Sequence, residues 1–477
     1  MDADALAARL GLWSSGPGPL YQQLTDGIAS LARSGVLRGG DRLPAERSLA
    51  TCLSVSRGTV VAAYDALREL GVVDREQGRG TTVRADPSAI GSTHDRPAAD
   101  ALFQGAASSI DMLMAVPEVL PEVIDRISAI DLTDHRDVLD SAEPAGIPAL
   151  RRAIAERMTI EGLATAPEQI VVTAGAQQGI ALLTMLLVRP GEVVLAEQTT
   201  WPGLADTVKR AGGRVIGVPM DEHGVLVDEL AAHVERFRPA FIGLNPHHHN
   251  PTGTRLSEGR RREVAELAGA YRVPLVEDRV AARLAFDGNV PPPMAVHQTQ
   301  GSSLVVDSIN KVAWGGLRVG WVRADVRTVR ELRTSRALAD LFSPIPSQLM
   351  AIAVLDDLDV VLRARVALLS RRAAVLREEV ARRLPEWELA PIRGGLTGWA
   401  RIPHGSAEHV VRLAARYGVD VSTGSAFCTD KPIDDHIRLP FTQPEPMLRE
   451  GVARLARAWS ELPGSPATDD RSVAALV

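Results

Sequence analysis

A short apolar strand, a turn around glycine and an apolar helix follow one another at residues 169–187, which read QIVVTAGAQQGIALLTMLL. A strand that leads directly into a helix is typical of α/β proteins with parallel sheets, so this segment restricts the possible folds strongly. The turn also has a chemical consequence. The backbone N–H groups of Gly175, Ala176 and Gln177 are expected to point at an anion, and the positive end of the helix dipole reinforces that site.

The chain contains only three lysines beside fifty arginines, and one of the three is Lys311, within SINKVAWGGLRVGWV (308–322). A lysine amine forms a Schiff base with an aldehyde such as pyridoxal phosphate, a role for which arginine is unsuited. Asp278 ends the apolar strand VPLVEDRV (273–280), 33 residues before the lysine. At the end of a parallel strand its carboxylate can pair with a protonated pyridine nitrogen.

Other residues offer contacts for the phosphate and the ring of such a cofactor. Arg318 presents a planar fork of donors that suits a phosphate, and the hydroxyl of Ser308 is a second candidate donor to it. Asn250 lies in the turn-rich loop NPHHHNPTGT (245–254) and is predicted to donate to the phenolic oxygen of the cofactor. Together these residues predict a pyridoxal 5'-phosphate site.

In their order and spacing these motifs resemble the fold-type I pyridoxal-phosphate enzymes, and among them the class I aminotransferases. The resemblance extends from about Ile110 to Leu462 and includes PAGIPALRRAIAERM (144–158), TAGAQQG (173–179), NPTG (250–253), Asp278, Lys311, Arg318, GGLTGWARIP (394–403) and HIRLPF (436–441). It implies an α/β main domain with a mostly parallel seven-stranded sheet, helices on both faces, and a smaller α+β subdomain at the C-terminus. It also implies that Trp201 stacks on the pyridine ring and that Arg438 holds the carboxylate of the effector.

The first 85 residues have the pattern of a separate winged helix-turn-helix domain. Helices are predicted over 19–35, 44–55 and 57–71, with Ser56 as the N-cap of the third. Two short strands around QGRG then form the wing, within residues 72–85. In such a domain the second helix of the motif enters the major groove of DNA.

Residues 43–83 resemble the GntR-type winged helix through Leu-Pro-x-Glu-Arg, Val-Ser-Arg-x-Thr-Val and a Gly-x-Gly wing. By this resemblance the DNA contacts come from Arg47, Arg57, Thr59 and, at the wing tip, Arg79 and Gly80. Ten arginines stand against nine acidic residues in the first 85 positions, so bulk positive charge does not drive binding. A winged helix that serves only as an interaction domain is the alternative.

A GntR-type winged helix joined to an aminotransferase-like domain is the layout of the MocR subfamily of bacterial transcriptional regulators, which this chain resembles over essentially its whole length. The resemblance implies a homodimer that binds a double-stranded DNA operator and pyridoxal 5'-phosphate, and that responds to an amine, an amino acid or a form of vitamin B6. The domains are predicted at 1–85 and 110–465, with a linker at 86–109 and a disordered tail at 466–477.

Composition sets further limits. The length of 477 residues predicts two or three domains, and 45% hydrophobic residues allow a large core. Two distant cysteines favour a reducing compartment, and neither a signal peptide nor a long apolar span is recognisable, so we expect a cytoplasmic protein without membrane contact. His247–His249 are interpreted as part of a loop and not as a metal site. Arg260–Arg262 are predicted to form the solvated face of a helix.

Three positions depart from the aminotransferase pattern, and one of them is Asn310, since serine or alanine is common directly before the lysine. Related domains carry a tyrosine two residues after the pyridine-binding aspartate, where this chain has Val280, and another where it has Ser141. Both tyrosines normally contact the cofactor, the second one across the subunit boundary. Because these contacts are missing, we expect a sensor without efficient turnover. A working aminotransferase with a secondary DNA-binding module, and a regulator that has lost the cofactor, are the alternatives.

Overall fold

The chain divides into two structural units, Met1–Pro97 and Ala98–Val477. The computed structural model describes residues 3–10, 13, 19–33, 37, 40–53, 55–69, 72–76, 80–83, 98–103, 105, 109–298, 300–430 and 432–462. Arg79, most of the predicted linker and the predicted tail lie outside these residues. The proposed domain limits therefore stay predictions, although residues 98–103 of the linker form a 3-10 helix and Ala99 N–H donates to Asp206 of the second unit at 2.9 Å.

The N-terminal unit is a winged helix-turn-helix. Its elements are α1 (Ala3–Leu10), α2 (Leu20–Arg33), α3 (Glu46–Cys52), α4 (Arg57–Glu69), β1 (Val73–Glu76) and β2 (Gly80–Val83). The two strands pair antiparallel and form the predicted wing. Apolar residues at helical spacing, among them Leu24, Ile28, Val60 and Leu67, are buried in one core cluster. Helix α1 was not predicted from the sequence.

The second unit alternates strands and helices. In chain order its elements are β3 (Ile110–Met112), α5 (Pro121–Ser128), α6 (Arg136–Leu139), α7 (Pro148–Ile160), β4 (Ile170–Thr173), α8 (Ala176–Leu187), β5 (Val193–Glu197), α9 (Pro202–Arg210), β6 (Arg214–Val218), β7 (Met220–Asp221), β8 (Gly224–Val225), α10 (Val227–Phe237), β9 (Phe241–Leu244), α11 (Glu258–Ala270), β10 (Leu275–Asp278), β11 (Ser303–Ser308), β12 (Gly320–Arg323), α12 (Val326–Ala339), α13 (Ile345–Asp356), α14 (Leu358–Arg383), β13 (Glu388–Leu389), β14 (Thr397–Arg401), α15 (Ala407–Arg416), β15 (Val419–Thr423), β16 (His436–Pro440) and α16 (Glu445–Ser460).

A seven-stranded sheet, counted over the described residues, forms the centre of this unit in the order β4-β12-β11-β10-β9-β5-β6. Strand β12 pairs antiparallel with both neighbours, and the other pairs are parallel. Successive side chains of a strand point to opposite faces, so Val171 and Val172 enter two different core clusters, one with α8 and α12 and the other with α7 and α13. The predicted mostly parallel sheet with helices on both faces is confirmed.

A second sheet, of five strands within the described residues, has the order β13-β14-β16-β15-β3. Helices α14, α15 and α16 pack with it through a shared apolar core. The predicted smaller α+β subdomain is thus confirmed, with one addition. Strand β3, from the beginning of the unit, completes the sheet by pairing parallel with β15. Across the described residues, no helix combines the length and the apolar character needed to cross a membrane.

Candidate functional site

The predicted cofactor residues converge on one edge of the large sheet. Strands β5, β9, β10 and β11 are parallel, so their carboxyl ends lie at the same edge. The segments that leave this edge carry Trp201 after β5, Asn250 after β9, Asp278 at the end of β10, and Lys311 just after β11. The topology therefore brings together side chains that are far apart in the sequence.

Asp278 is partly buried, and its Oδ1 accepts a hydrogen bond from the backbone N–H of Val280 at 3.0 Å. Burial raises the pKa of Asp278 to about 7, and the nearby carboxylate of Asp307 adds to the shift. The hydrogen bond from Val280 acts in the opposite direction. A carboxylate in this environment is stabilised by a positively charged partner, and a protonated pyridine nitrogen is such a partner.

Lys311 lies in the turn after β11, where its Nζ donates a hydrogen bond to the carbonyl of Ala115 at 2.7 Å. Burial lowers the pKa of Lys311 to about 8, and the like charges of Arg438 and Arg318 add to the shift. Asp278 acts against it. The neutral amine, which is the nucleophilic form, is therefore more populated near neutral pH than in a free lysine.

The N-terminus of α8 lies close to Arg318, at the position where the sequence predicts an anion site. Gly175 precedes the helix with a φ of 97°, and no side-chain hydrogen bond caps α8 within the described residues. A Cβ at Gly175 would lie 2.9 Å from Asn310 Nδ2 and 3.2 Å from Arg318 Nη2, so the close approach requires glycine. Ala176 and Gln177 are the first residues of α8, which places their N–H groups at its open end.

Ser308 uses its hydroxyl within the protein. The hydroxyl donates to the carbonyl of Val319 at 2.8 Å and accepts from the N–H of Asn310 at 3.1 Å. Both bonds shape the turn that carries Lys311. The contact of Ser308 with a phosphate stays a prediction.

A pocket lies between Trp201 and Asp278. The indole N–H of Trp201 donates to Oε1 of Gln177 at 2.7 Å, which fixes the ring at the pocket wall. The Oδ1 of Asn250 is buried and has no hydrogen-bond partner among the described residues. Buried polar atoms are nearly always paired, so this oxygen can accept a hydrogen bond from a bound ligand, whereas the predicted donation to the phenolic oxygen would come from Nδ2.

Arg438 lies on β16 with a buried guanidinium. Its Nη1 donates to the carbonyl of Leu113 at 3.1 Å, while its Nε has no partner within the part of the chain that the structure describes. The guanidinium carbon is 4.9 Å from the centre of the Phe427 ring. Burial lowers the pKa of Arg438 to about 9, against the effect of Asp111. A buried cation with an open donor side fits a carboxylate ligand.

The residues present fit pyridoxal phosphate in four respects: an amine with a lowered pKa, a carboxylate for the ring nitrogen, an amide with an unpaired buried oxygen and a helix N-terminus without a side-chain cap. The two tyrosine positions differ. Val280 and Ser141 are both partly buried, and neither supplies a phenol. Val280 contributes only its backbone N–H, which bonds to Asp278.

A network of buried charges follows Asp278 in the chain and was missed by the sequence analysis. Arg279 lies 3.5 Å from Glu161, and Arg283 binds Glu161 at 2.6 Å and Asp307 at 2.9 Å. Burial opposes ionisation of Glu161, yet Arg283 and Arg279 lower its pKa to about 2. Because the charge of Asp307 also raises the pKa of Asp278, this network influences the predicted partner of the pyridine nitrogen. The only sequence signal was the unusual density of charges beside a buried strand.

The histidine run lies in a loop, as predicted, and all three side chains are buried. His247 Nε2 is 2.9 Å from Oε1 of Glu277, so this ring joins the charge network. The described residues contain no group of three or more His, Cys, Asp or Glu side chains that could hold a metal ion.

The prediction that Arg260–Arg262 form a solvated helix face was wrong for Arg261. This side chain is buried and donates to the carbonyl of Pro292. Successive helical residues are rotated by about 100°, so three in a row cannot share one face. Arg260, by contrast, pairs with Asp221 at 2.5 Å near the surface.

In the N-terminal unit, α4 begins at Arg57 and is the predicted recognition helix. The hydroxyl of Ser56 accepts a hydrogen bond from the N–H of Thr59 at 3.1 Å, which confirms Ser56 as the N-cap. Arg57 is exposed and its Nη2 lies 3.1 Å from Oε2 of Glu46, on the preceding helix. Arg47 is exposed on α3 and Thr59 is partly exposed. These three predicted DNA contacts therefore remain accessible on two neighbouring helices.

The wing strand β2 begins at Gly80, which has a φ of 89°. A Cβ there would lie 2.8 Å from Nε of Arg42, so glycine permits the close approach of this arginine. The hydroxyl of Tyr64 donates to the carbonyl of Pro44 at 2.9 Å and ties α4 to the turn before α3. The predicted contact of Arg79 concerns a residue outside the described ones.

A winged helix-turn-helix followed by a large mixed sheet, with a partly buried lysine at the carboxyl edge of that sheet, defines a class of protein. Such a protein joins a DNA-binding fold to a pyridoxal-phosphate transferase fold. Residues 110–455 match the family model for aminotransferase class I and II, and residues 20–83 match the model for bacterial regulatory proteins of the gntR family. The chain belongs to the aminotransferase class I and II family, whose members depend on pyridoxal phosphate, and it carries a GntR-type helix-turn-helix domain.

Curated relatives share this two-part layout over nearly their whole length. The HTH-type pyridoxine biosynthesis transcriptional regulator PdxR of Corynebacterium glutamicum is 28% identical over 457 residues, which cover 93% of this chain and 97% of that protein. The HTH-type transcriptional regulator TauR of Rhodobacter capsulatus is 28% identical and covers 92% and 95%, respectively. The predicted resemblance to the MocR-type regulators is confirmed.

Solved structures show the same fold for the large unit. The kynurenine aminotransferase of Pyrococcus horikoshii superposes with a TM-score of 0.71 at 22% identity, over 78% of this chain and 95% of that one. This likeness supports the fold alone. It agrees with the predicted assignment to fold type I.

Proposed function

We propose that this protein is a DNA-binding transcriptional regulator whose large unit binds pyridoxal phosphate at Lys311 and senses an amino acid, an amine or a form of vitamin B6. The observation that carries the proposal is that one chain combines an exposed recognition helix with a buried, incompletely paired ligand site. Relatives that match over nearly their whole length are named as transcriptional regulators, which supports the same role.

The cofactor would be held by side chains at the carboxyl edge of the large sheet. Asp278 would pair with the ring nitrogen, Asn250 would donate to the phenolic oxygen, and Trp201 would cover one face of the ring. The N–H groups of Gly175, Ala176 and Gln177 would bind the phosphate together with Arg318 and Ser308. When bound, pyridoxal phosphate supplies an aldehyde that an amine can attack with loss of water, and a ring that withdraws electrons.

Three residues of this chain prepare the site for that chemistry. The lowered pKa of Lys311 keeps part of its amine neutral, so Nζ can act as a nucleophile. The raised pKa of Asp278 lets its carboxyl group keep or share a proton with the ring nitrogen. Arg438 holds the effector carboxylate in an enclosed position, where a charge-assisted hydrogen bond is strong.

The absence of phenol groups at positions 280 and 141 favours sensing over turnover. Without these donors the site can bind an amine but lacks contacts that stabilise the later states of transamination. A working aminotransferase is the second candidate function. The retention of Lys311, Asp278 and Arg438 favours it, since the charges of Asp278 and Arg438 both act on Lys311 and all three groups serve that reaction.

The DNA-binding surface is assigned to Arg47, Arg57, Thr59, Arg79 and Gly80. Arg57 would read a guanine edge or bind a phosphate, and α4 would lie in the major groove. We further propose a homodimer, which would place one winged helix on each half-site of a symmetric operator. A DNA partner also implies a cytoplasmic protein.

The visible spectrum of the purified protein tests the proposal. Pyridoxal phosphate is added first, and amino acids and amines are then titrated in. A band that depends on Lys311, shifts with one ligand class and then persists is the result expected of a sensor. A band that decays and returns with a keto acid would establish the aminotransferase instead. If no band forms, or if Lys311→Ala leaves it unchanged, the cofactor assignment is wrong.

A further inference from the structure

Helix α14 places two buried arginines, Arg365 and Arg372, beside the turn that carries Lys311. They are 0% and 4% exposed. Seven residues separate them, which is nearly two helical turns, so both side chains leave the same face of α14. Neither residue belongs to the predicted cofactor or effector contacts.

The guanidinium of Arg365 donates hydrogen bonds to main-chain carbonyls. Its Nε donates to the carbonyl of Val312 at 2.8 Å, and its Nη2 donates to those of Ala313 at 2.8 Å and Glu118 at 2.6 Å. Val312 and Ala313 directly follow Lys311. Burial lowers the pKa of Arg365 to about 10, with the carboxylate of Glu118 acting in the opposite direction.

A buried guanidinium contributes little net stability, because the desolvation of its charge offsets much of the free energy that its contacts provide. An apolar side chain of similar size would stabilise the fold at least as well. The planar fork of arginine has a different advantage, since it can hold several acceptors in a fixed relative geometry. Here the acceptors belong to the Lys311 turn and to Glu118.

The segment Leu113–Glu118 is the second element that this fork holds. Lys311 Nζ donates to Ala115, within the segment, and Arg438 donates to Leu113 at its start. At its end, Arg372 Nη1 binds Oε2 of Glu118 at 2.7 Å. The same Nη1 donates to the carbonyl of Thr442, just beyond the strand that carries Arg438.

We propose that Arg365 is a positioning residue for Lys311: it fixes the Lys311 turn against the segment Leu113–Glu118, so that the amine faces the cofactor site, and Arg372 secures Glu118 for that purpose. This inference rests on the proposed function, because it assumes that Lys311 bonds to the cofactor. One face of α14 then positions both Lys311, which is predicted to bind the cofactor, and Arg438, which is predicted to bind the effector carboxylate.

Reductive trapping tests the proposal in the full-length protein. Wild type and Arg365→Gln are saturated with pyridoxal phosphate, and total bound cofactor is measured after gel filtration. Borohydride then traps the lysine linkage, and peptide mass spectrometry gives the fraction of Lys311 that is modified. We expect Arg365→Gln to retain bound cofactor but to trap roughly tenfold less of it at Lys311, which corresponds to about 1.4 kcal/mol.

Arg336→Gln is the matched control. Arg336 is also fully buried, but it donates to the carbonyl of Val172 and the hydroxyl of Ser343 and pairs with Asp340, away from the Lys311 turn. Melting temperatures are measured for both variants. Arg336→Gln is expected to trap as much cofactor at Lys311 as wild type does, even if its melting temperature falls as far as that of Arg365→Gln.

The following outcomes overturn the proposal. Unchanged trapping at Lys311 in Arg365→Gln would refute it. An equal loss of trapping in Arg365→Gln and Arg336→Gln, in proportion to the fall in their melting temperatures, would also refute it. Failure of the wild type to trap at Lys311 would instead refute the proposed cofactor site and this inference with it. Should Arg365→Gln not fold, Arg365→Lys decides, because lysine keeps the buried charge but cannot hold three carbonyl oxygens in one plane. It is expected to reduce trapping roughly threefold, and unchanged trapping would likewise refute the positioning role.

Discussion

Replacing Arg438 by methionine removes the predicted carboxylate contact and keeps an unbranched side chain of similar length. The Nη1 of Arg438 is occupied by Leu113, so a bound carboxylate would meet the side of the guanidinium that carries the unpaired Nε. Each charge-assisted hydrogen bond contributes about 1.5–3 kcal/mol, so two such bonds contribute about 3–6 kcal/mol. At about 1.4 kcal/mol per factor of ten, the dissociation constant of an amino-acid effector should rise at least about a hundredfold.

Matched ligands separate this contact from a general loss of binding. The cofactor-loaded protein is titrated with an amino acid and with the amine that its decarboxylation gives, and the visible spectrum is followed. Arg438→Met should weaken binding of the amino acid and leave that of the amine nearly unchanged. Equal affinity of wild type and variant for the amino acid would refute the role of Arg438, because no carboxylate would then be bound there.

Stability provides the control for this variant. Arg438 has no ion pair among the described residues, and burial lowers its pKa to about 9. Removing a buried charge that lacks a carboxylate partner should therefore not reduce the free energy of unfolding of the ligand-free protein strongly. A chemical denaturation curve that matches wild type would show that altered ligand binding reflects the site.

Three further predictions concern other parts of the molecule. Arg57→Ala should weaken operator binding at least about fivefold in a gel-shift assay and leave the cofactor spectrum unchanged. The control Arg68→Ala, on the same helix, should change neither operator binding nor the spectrum, and loss of the spectrum in Arg57→Ala would contradict the separation of the two roles. Because the folded pKa of Asp278 is about 7 and the usual value is about 3.9, the ligand-free folded state holds this proton while the unfolded chain releases it, so the free energy of unfolding falls between about pH 4 and pH 7. Asp278→Asn should therefore stabilise the ligand-free protein at pH 8 but not at pH 4, and equal effects at both pH values would exclude this explanation. Glu161→Gln should reduce the free energy of unfolding by about 3–5 kcal/mol, since it leaves the buried charge of Arg283 with Asp307 alone; a loss below about 1 kcal/mol would show that the pair is not buried in solution.

Local patterns predicted those elements whose cause lies within one segment. The strand and helix expected over residues 169–187 are β4 and α8, because four buried residues in a row precede a glycine that can adopt a positive φ. The order of motifs around Lys311 predicted where the site should lie although its residues are distant in the chain, since parallel strands align their carboxyl ends. The winged helix likewise follows from spacing, capping and a glycine-containing hairpin.

Pairs of distant residues were beyond the reach of such patterns. Arg283 binds Glu161 from 122 positions away, and Arg365 reaches Val312 across 53. An arginine on a helix has the same local signature whether it faces water or a buried carbonyl, so periodicity did not distinguish Arg261 from its exposed neighbours. The role of Arg365 became visible only when its hydrogen-bond acceptors were known.

Strand β3 determines how regulators of this type can be cut and recombined. It precedes every strand of the large sheet in the chain, yet it pairs with β15 at the edge of the smaller sheet, through Ile110 with Val419 and Met112 with Val421. A truncated effector unit that began after Met112 would expose the backbone of β15 as a new sheet edge, which promotes aggregation. Exchanges of DNA-binding units between relatives should therefore join the two parts upstream of the 3-10 helix at Ala98–Phe103, so that β3 travels with the unit it completes.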